Sequence, residues 1–559
     1  MKKKVLSLLL AVVMTFSLAV TANAAEETAQ DLDGDIVILH TNDVHGAISG
    51  YAKVAALKDA YEARGAYVLL MDAGDFIQGD PTVSTSEGAT AVELMNLAGY
   101  DVASMGNHEF DYGYQNLKDL EADADFTIVD ANVLYNGQVA FEDNVVFTAP
   151  DGTKIGVFGL DTPETATKAH PAKIQGVTFL AGDKMFDCAQ DQVDALEAEG
   201  CEYIICLGHL GIDAESTGNR SIDLLEKVEG IDVFIDGHSH TVMENKQVYD
   251  AAGKAVTLTQ TGSYLANVGK MTIAEDGAIT TELVSTADVS DAAVAATAEA
   301  WINDVDAMLG EQIATTDINF YINDPATGKR RIRMGETNLG DFVADGIYTY
   351  FNEVEQLDCD IAMMNGGGIR TDVDAGPWSF KTCKTVSPFG NVACLMSVTG
   401  QQIQDALEFG ARFAGAEGKE NGGFLQVAGA RYTIHPMIPN TVQTNDKNVW
   451  TGSAATPRVS NVEIYDKTTG TYKPLDPNAT YALAGMNYTL RNLGDGFAMF
   501  DGATLIKDYV SEDYLVMSSY AAMFGGVDAN GLPHLASANS PLADYPGYLL
   551  NYEDPHGAG

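Results

Sequence analysis

The stretch Ile36-Val37-Ile38-Leu39-His40-Thr41-Asn42-Asp43-Val44-His45-Gly46 passes from four consecutive apolar residues into a polar loop holding a carboxylate and an imidazole. An apolar run of this length, ended by turn-forming residues, reads as a strand buried on both faces, the kind found inside a parallel sheet. Residues 51–64 then have helical composition and stop at Gly65. Tyr67-Val68-Leu69-Leu70-Met71 repeats the apolar run, and residues 90–97 form a second predicted helix closed by Gly99. Ile155-Gly156-Val157-Phe158-Gly159, residues 203–207 and Val233-Phe234-Ile235 continue the series. Strands alternating with helices predict an α/β sheet whose strand ends carry the functional loops.

Those loops hold the chemistry. Six of the ten histidines (His40, His45, His108, His209, His238 and His240) end a predicted strand or lie in the loop after one. HTNDVHG carries Asp43 and His45, DAGDFIQG carries Asp75, GNHEFDYG carries Asn107 and His108, and GHLG and GHSH carry His209, His238 and His240. Carboxylate, imidazole and amide oxygen without thiolate suit zinc, manganese or a similar divalent ion. Two such ions about 3.5–4 Å apart, bridged by a carboxylate, activate water and clamp the oxygens of an in-line phosphoryl displacement. An Asp-x-His pair alone is an ordinary accident of sequence. Such loops recurring at strand end after strand end, together holding most of the histidines, are not.

The run ILHTNDVHG…DAGDFIQG…GNHEFDYG…GHLG…GHSH resembles the calcineurin-like metallophosphoesterase signature, in wording similar to the bacterial secreted 5′-nucleotidase family. The resemblance implies a four-layer metallophosphoesterase β-sandwich with flanking helices, followed by a separate α+β substrate-binding domain. It further implies that Asp43, His45, Asp75 and His240 hold one divalent ion, and that Asp75, Asn107, His209 and His238 hold the other, with Asp75 as the bridge. His108 then faces the phosphoryl group as a catalytic residue, oriented by Asp111. Members of the family rotate the second domain to carry substrate to the metals.

The second half adds cations and aromatics. Arg330, Arg331 and Arg333 cluster in RRIRMGETNLGDFVAD, and Arg370 follows three glycines in MNGGGIRTD. Guanidinium groups bind phosphate through two parallel hydrogen bonds, which makes Arg333 and Arg370 candidate phosphate ligands. Asn365 and Asn391 are placed to hydrogen-bond base edges. By the resemblance, Phe389 of VSPFGNVA and Tyr488 of GMNYTLRNLGDGF sandwich the nucleobase and Asp495 binds ribose hydroxyls, with Phe497 as the alternative to Tyr488.

Composition narrows the partners. The formal charge of −47 becomes −50 once the three lysines of residues 1–24 are set aside. Such a charge argues against nucleic acid and anionic membrane as partners and leaves room for a small anion met by local cations. Lys2, Lys3 and Lys4, an apolar run over 5–20 and the small-x-small pattern Ala22-Asn23-Ala24 read as a cleaved signal peptide, giving an exported protein with no membrane insertion. Six cysteines, three in each half, are too few for a disulfide framework.

The expected organisation is a signal peptide at 1–24, a metallophosphoesterase domain at 25–289, a helical linker at 290–312 and a 5′-nucleotidase C-terminal domain at 313–559. The expected activity is hydrolysis of nucleoside 5′-monophosphates, with di- and triphosphates as further substrates. The alternatives are a 2′,3′-cyclic-nucleotide 2′-phosphodiesterase or UDP-sugar hydrolase on the same site and, from another class, a non-catalytic secreted nucleotide-binding protein.

Overall fold

Ile36–Thr41 is buried along its whole length and lies third in a six-stranded sheet. The computed structural model describes residues 32–557 apart from 170–172, 214–215, 285–288, 417–418 and 509; the expected signal peptide at 1–24 lies outside the described residues. Ile36–Thr41 pairs in parallel with Tyr67–Asp72, which is followed in parallel by Val102–Ser104 and Thr127–Val129. Val268–Ile273 and Ile279–Val284 complete the other edge as antiparallel strands. A second six-stranded sheet runs in the order Val242–Tyr249, Ala255–Thr261, Val233–Ile235, Tyr203–His209, Lys154–Asp161 and Asn144–Thr148.

Side chains alternate across each strand, so the first one contributes to two cores. Ile36 and Ile38 enter the layer between the sheets with Leu69, Met71, Ile205, Leu207, Val233 and Ile235. Val37 and Leu39 point the other way, into a core shared with helices Tyr51–Glu62, Ala89–Ala98 and Tyr114–Asp123. Helix Asp183–Ala198 covers the outer face of the second sheet through Met185, Ala189 and Val193. The result is helix, sheet, sheet, helix. In both sheets the central parallel strands end on the same edge, and Asp43, Asp75, Asn107, His209 and His238 lie at or just beyond those ends.

Helix Ala292–Leu309 begins with Asp291 accepting hydrogen bonds from the backbone N–H groups of Ala293 and Val294, a side-chain N-cap. It is less a free linker than a further helix of the first domain, because Val294 and Ala298 join the core under Tyr51–Glu62 and Ala89–Ala98. Its C-terminal part meets the second domain, where Lys381 pairs with Asp306 at 2.7 Å.

The second domain is built on a five-stranded sheet ordered Leu425–Ala428, Ile361–Asn365, Thr480–Met486, Ala393–Thr399 and Thr504–Lys507. Helices Asn338–Thr349 and Asp513–Ala522 pack on one face and Gly400–Gly410 on the other. This α+β unit is distinct from the first domain. The chain's last stretch is tied to it by Asp345, a buried carboxylate accepting hydrogen bonds from Tyr548 and Tyr552, both at 2.7 Å. Among the described residues no helix is long and apolar enough to cross a membrane. All six cysteines are free thiols.

Candidate metal centre and active site

The strand ends bring two overlapping groups of donors together. Asp43, His45 and His240 form one, and Asp43, Asp75 and His209 the other, with the ligand atoms of each group within 4.8 Å of one another. Asp75 reaches both: its Oδ2 lies 3.1 Å from His209 Nε2 and 3.8 Å from His45 Nε2. His45 and His240 face each other with Nε2 atoms 3.0 Å apart. Asn107 and His238 stand beside these groups, and the His238 backbone N–H donates to the Asp43 carboxylate at 3.1 and 3.2 Å.

The loops are strained where they carry these residues. Asp43 (φ 49°), His45 (45°), Asp75 (65°), His238 (71°) and His240 (51°) all adopt left-handed backbone. For residues other than glycine this costs about 1–3 kcal/mol each and persists only when the surroundings hold it. Here neighbouring loops hold it. Asp43 N–H donates to Gly74 O and His45 N–H to Asp75 O. Gly106 leaves the room they need, because a Cβ there would run into Asp75 Oδ1 and the His209 ring.

Whether this set fits a metal is answered by its unpartnered atoms. His209 donates its Nδ1–H to Ala73 O at 2.7 Å, and its buried Nε2 faces Asp75 Oδ2 at 3.1 Å without a well-formed hydrogen bond. Asn107 Oδ1 is likewise buried and unpartnered. Buried polar atoms are nearly always satisfied, so two such ligand-type atoms beside one carboxylate cluster suit a cation. Burial opposes ionisation of Asp75, but His209, His108 and His45 outweigh it and hold its carboxyl well below the usual range. A carboxylate that stays charged is what a ligand must be.

His108 lies at the mouth of this cluster. Its Nδ1 shares a 2.6 Å hydrogen bond with Asp111 Oδ2, and its backbone N–H donates to Asp75 Oδ1 at 2.9 Å. Burial works against charging the ring, yet Asp111 and Asp75 together raise its pKa above the ordinary histidine value. Phe389 of the second domain stacks on the ring, with centroids 5.6 Å apart and an interplanar angle of 27°. Arg370 stands next to Phe389, its guanidinium 5.7 Å from the ring centroid.

A cavity of about 1360 Å³ opens above, between the domains. Arg333, Arg370, Asn365, Phe389, Asn391, Tyr488 and Asp495 all line it, as do Asp75, Asn107, His108, Asp111, His238 and His240. Asp43, His45 and His209 lie buried beneath its floor. Tyr488 is only 8% exposed, and its hydroxyl donates to Thr167 O at 2.9 Å while accepting from Asp495 N–H. Asp495 in turn accepts from Asn365 Nδ2 at 3.1 Å and lies 3.6 Å from Lys168. Phe497, the alternative aromatic, is fully buried against Phe409 and Phe500, away from the cavity. Arg331 turns away from the cavity, its Nε donating to Glu336 O.

Sequence reasoning passed over the braces that hold these loops. The buried Glu109 carboxylate accepts from the N–H groups of Asp75, Phe76 and Gly106 at 2.7–2.8 Å, tying two ligand loops together. Asp236 does the same for the His209 and His238 loops, accepting from Leu210, Gly211 and Gly237. Each lies inside a quoted motif or directly before it, and that adjacency was the available signal.

Two family models match the chain: calcineurin-like phosphoesterase over residues 36–242, and 5′-nucleotidase, C-terminal domain over residues 312–502. The chain belongs to the calcineurin-like phosphoesterases with a 5′-nucleotidase C-terminal domain. This phosphoesterase is 30% identical over 538 residues to the trifunctional nucleotide phosphoesterase protein YfkN of Bacillus subtilis, covering 88% of its own length and 34% of that protein. It therefore spans about a third of that relative. With the 5′-nucleotidase of Rattus norvegicus it shares 27% identity over 538 residues, covering 87% of this chain and 88% of the other. The crystal structure of the 5′-nucleotidase precursor from Thermus thermophilus superposes with a TM-score of 0.74 at 27% identity, covering 90% of this phosphoesterase and 99% of that chain.

Proposed function

We propose that the chain is an exported, metal-dependent 5′-nucleotidase that hydrolyses nucleoside 5′-monophosphates, and also di- and triphosphates, to nucleoside and phosphate. One observation carries the reading: the histidine–carboxylate cluster and Arg333, Arg370, Asn365, Phe389, Asn391, Tyr488 and Asp495 meet at a single interdomain cavity. The relatives' names and the signal-peptide pattern at 1–24 support the nucleotide and the export.

In this reading Asp43, His45, Asp75 and His240 hold one divalent ion and Asp75, Asn107, His209 and His238 the other, zinc and manganese both suiting the donors. Bound there, two ions supply a water of lowered pKa and neutralise phosphoryl charge. The chain's own residues do the rest. Arg370 and Arg333 grip the phosphate oxygens. Phe389 stacks on the base, with Tyr488 forming the pocket wall, Asp495 accepts from ribose hydroxyls, and Asn365 and Asn391 meet the base edge. Asp111 holds the His108 Nδ1 proton, which turns Nε2–H of the charged ring toward the leaving oxygen.

A cavity of about 1360 Å³ exceeds what one mononucleotide fills, which favours a second reading alongside the first: the bulkier sugar nucleotides on the same site, with cyclic nucleotides as the further alternative. Chromatographic detection of adenosine from AMP, 3′-AMP from 2′,3′-cyclic AMP and UMP from UDP-glucose, each with the manganese-loaded protein, separates these readings. AMP turnover that disappears with EDTA is the expected result. Two bound ions with no turnover of any of the three would leave only the non-catalytic nucleotide-binding alternative.

A further inference from the structure

His238 differs from the other histidines of the centre in what braces it. His209 leans on a backbone carbonyl, whereas His238 Nε2 lies 3.1 Å from Oε2 of Glu164, a residue outside every histidine motif. Both side chains are nearly buried, at 13% and 11% exposure. His238 also occupies left-handed backbone with φ 71°, so its ring has no regular element to fix it. An imidazole whose Nε2–H is held by a carboxylate presents Nδ1 as its lone pair, and only one rotation about the ring bond satisfies that contact.

We infer that Glu164 is a positioning residue of the metal centre, setting the tautomer and rotation of His238 so that Nδ1 is the atom offered to a cation. The inference rests on the metal-dependent reading above. Glu164 is itself well anchored. It opens the short helix Thr165–Lys168, whose Thr165 hydroxyl donates to Asp161 Oδ2 at 2.7 Å, at the end of a central strand. A solvated surface acid would not be built this way.

Calorimetric titration of Mn²⁺ into EDTA-stripped protein tests it. Wild type should take two ions. Glu164→Ala should weaken one of them about 10–100-fold and leave the other unchanged. Glu164→Gln, which still accepts a hydrogen bond but carries no charge, should recover part of the loss. In turnover of AMP the alanine variant should lose kcat at saturating Mn²⁺ with KM near wild type, because the arginines and Phe389 are untouched. Melting of the stripped proteins shows whether the variants fold; if the alanine variant does not, the glutamine variant carries the same comparison. Unchanged affinities for both ions in a folded variant would overturn the role of Glu164 alone. A wild type that binds no Mn²⁺ would overturn it together with the metal-dependent reading.

Discussion

Asp75 spans the centre: it meets His209 and His45 through one carboxylate oxygen and the His108 N–H through the other. Asp75→Asn keeps the shape and removes the charge. We expect metal content to fall and kcat with AMP to drop by roughly 10²–10³-fold, the scale of losing one preorganised stabilising group. Phe389→Ala should do the opposite kind of damage, raising KM by the equivalent of about 1–3 kcal/mol of base stacking while metal content holds. Steady-state kinetics beside elemental analysis distinguishes them. At this scale the histidines were legible in the sequence because the residue type is scarce and their placement at strand ends is unusual. Glu109, Asp236 and Glu164 were not. In a chain with 79 acidic residues a buried brace reads like any solvated acid, and only its backbone partners give it away.

Among elements, the strands buried on both faces announced themselves. Ile36–Thr41, Tyr67–Asp72 and Tyr203–His209 are nearly continuous apolar runs because helices cover one side and the opposing sheet the other. Val242–Tyr249 escaped notice: its edge position exposes Glu244, Asn245, Lys246 and Gln247, which erases the pattern. The resemblance named Tyr488 as a stacking partner, and periodicity could not reveal that its hydroxyl spans the domains to Thr167 O. That contact and the Lys168–Asp495 pair fasten the short helix Thr165–Lys168 to the second domain. Tyr488→Phe should therefore weaken nucleotide binding by about 0.5–1.5 kcal/mol, seen as a several-fold rise in KM with kcat little changed. An unchanged KM would mean the hydroxyl contact contributes nothing to the assembled pocket.

For the whole molecule, pH acts on stability far from the metals. Burial raises the Asp345 pKa to about 7, against which the Tyr552 and Tyr548 hydrogen bonds act only in part. The native state thus keeps a proton that the unfolded chain releases near pH 4. Stability from this group is complete below pH 4, declines as pH rises toward 7 and is level above. Urea unfolding of wild type and Asp345→Asn should diverge by about 1.4 kcal/mol per pH unit across that window, with the variant losing less.

The charge distribution has a kinetic consequence. Lys168, Lys173, Lys329, Arg330, Arg333, Arg370, Lys384 and Lys419 line the cavity, a quarter of the 32 basic residues in a chain of formal charge −47, and they slightly outnumber the seven acids that share its lining. A phosphorylated ligand is repelled by the body at long range and attracted only within about a Debye length of the opening, ~10 Å at 0.1 M salt. Added salt should therefore quicken its approach, the reverse of ordinary steering into a cationic pocket. The outward journey is the mirror image. Neutral nucleoside drifts away indifferent to the field, while inorganic phosphate, once past the lysines and arginines, is expelled by the same body that hindered its arrival.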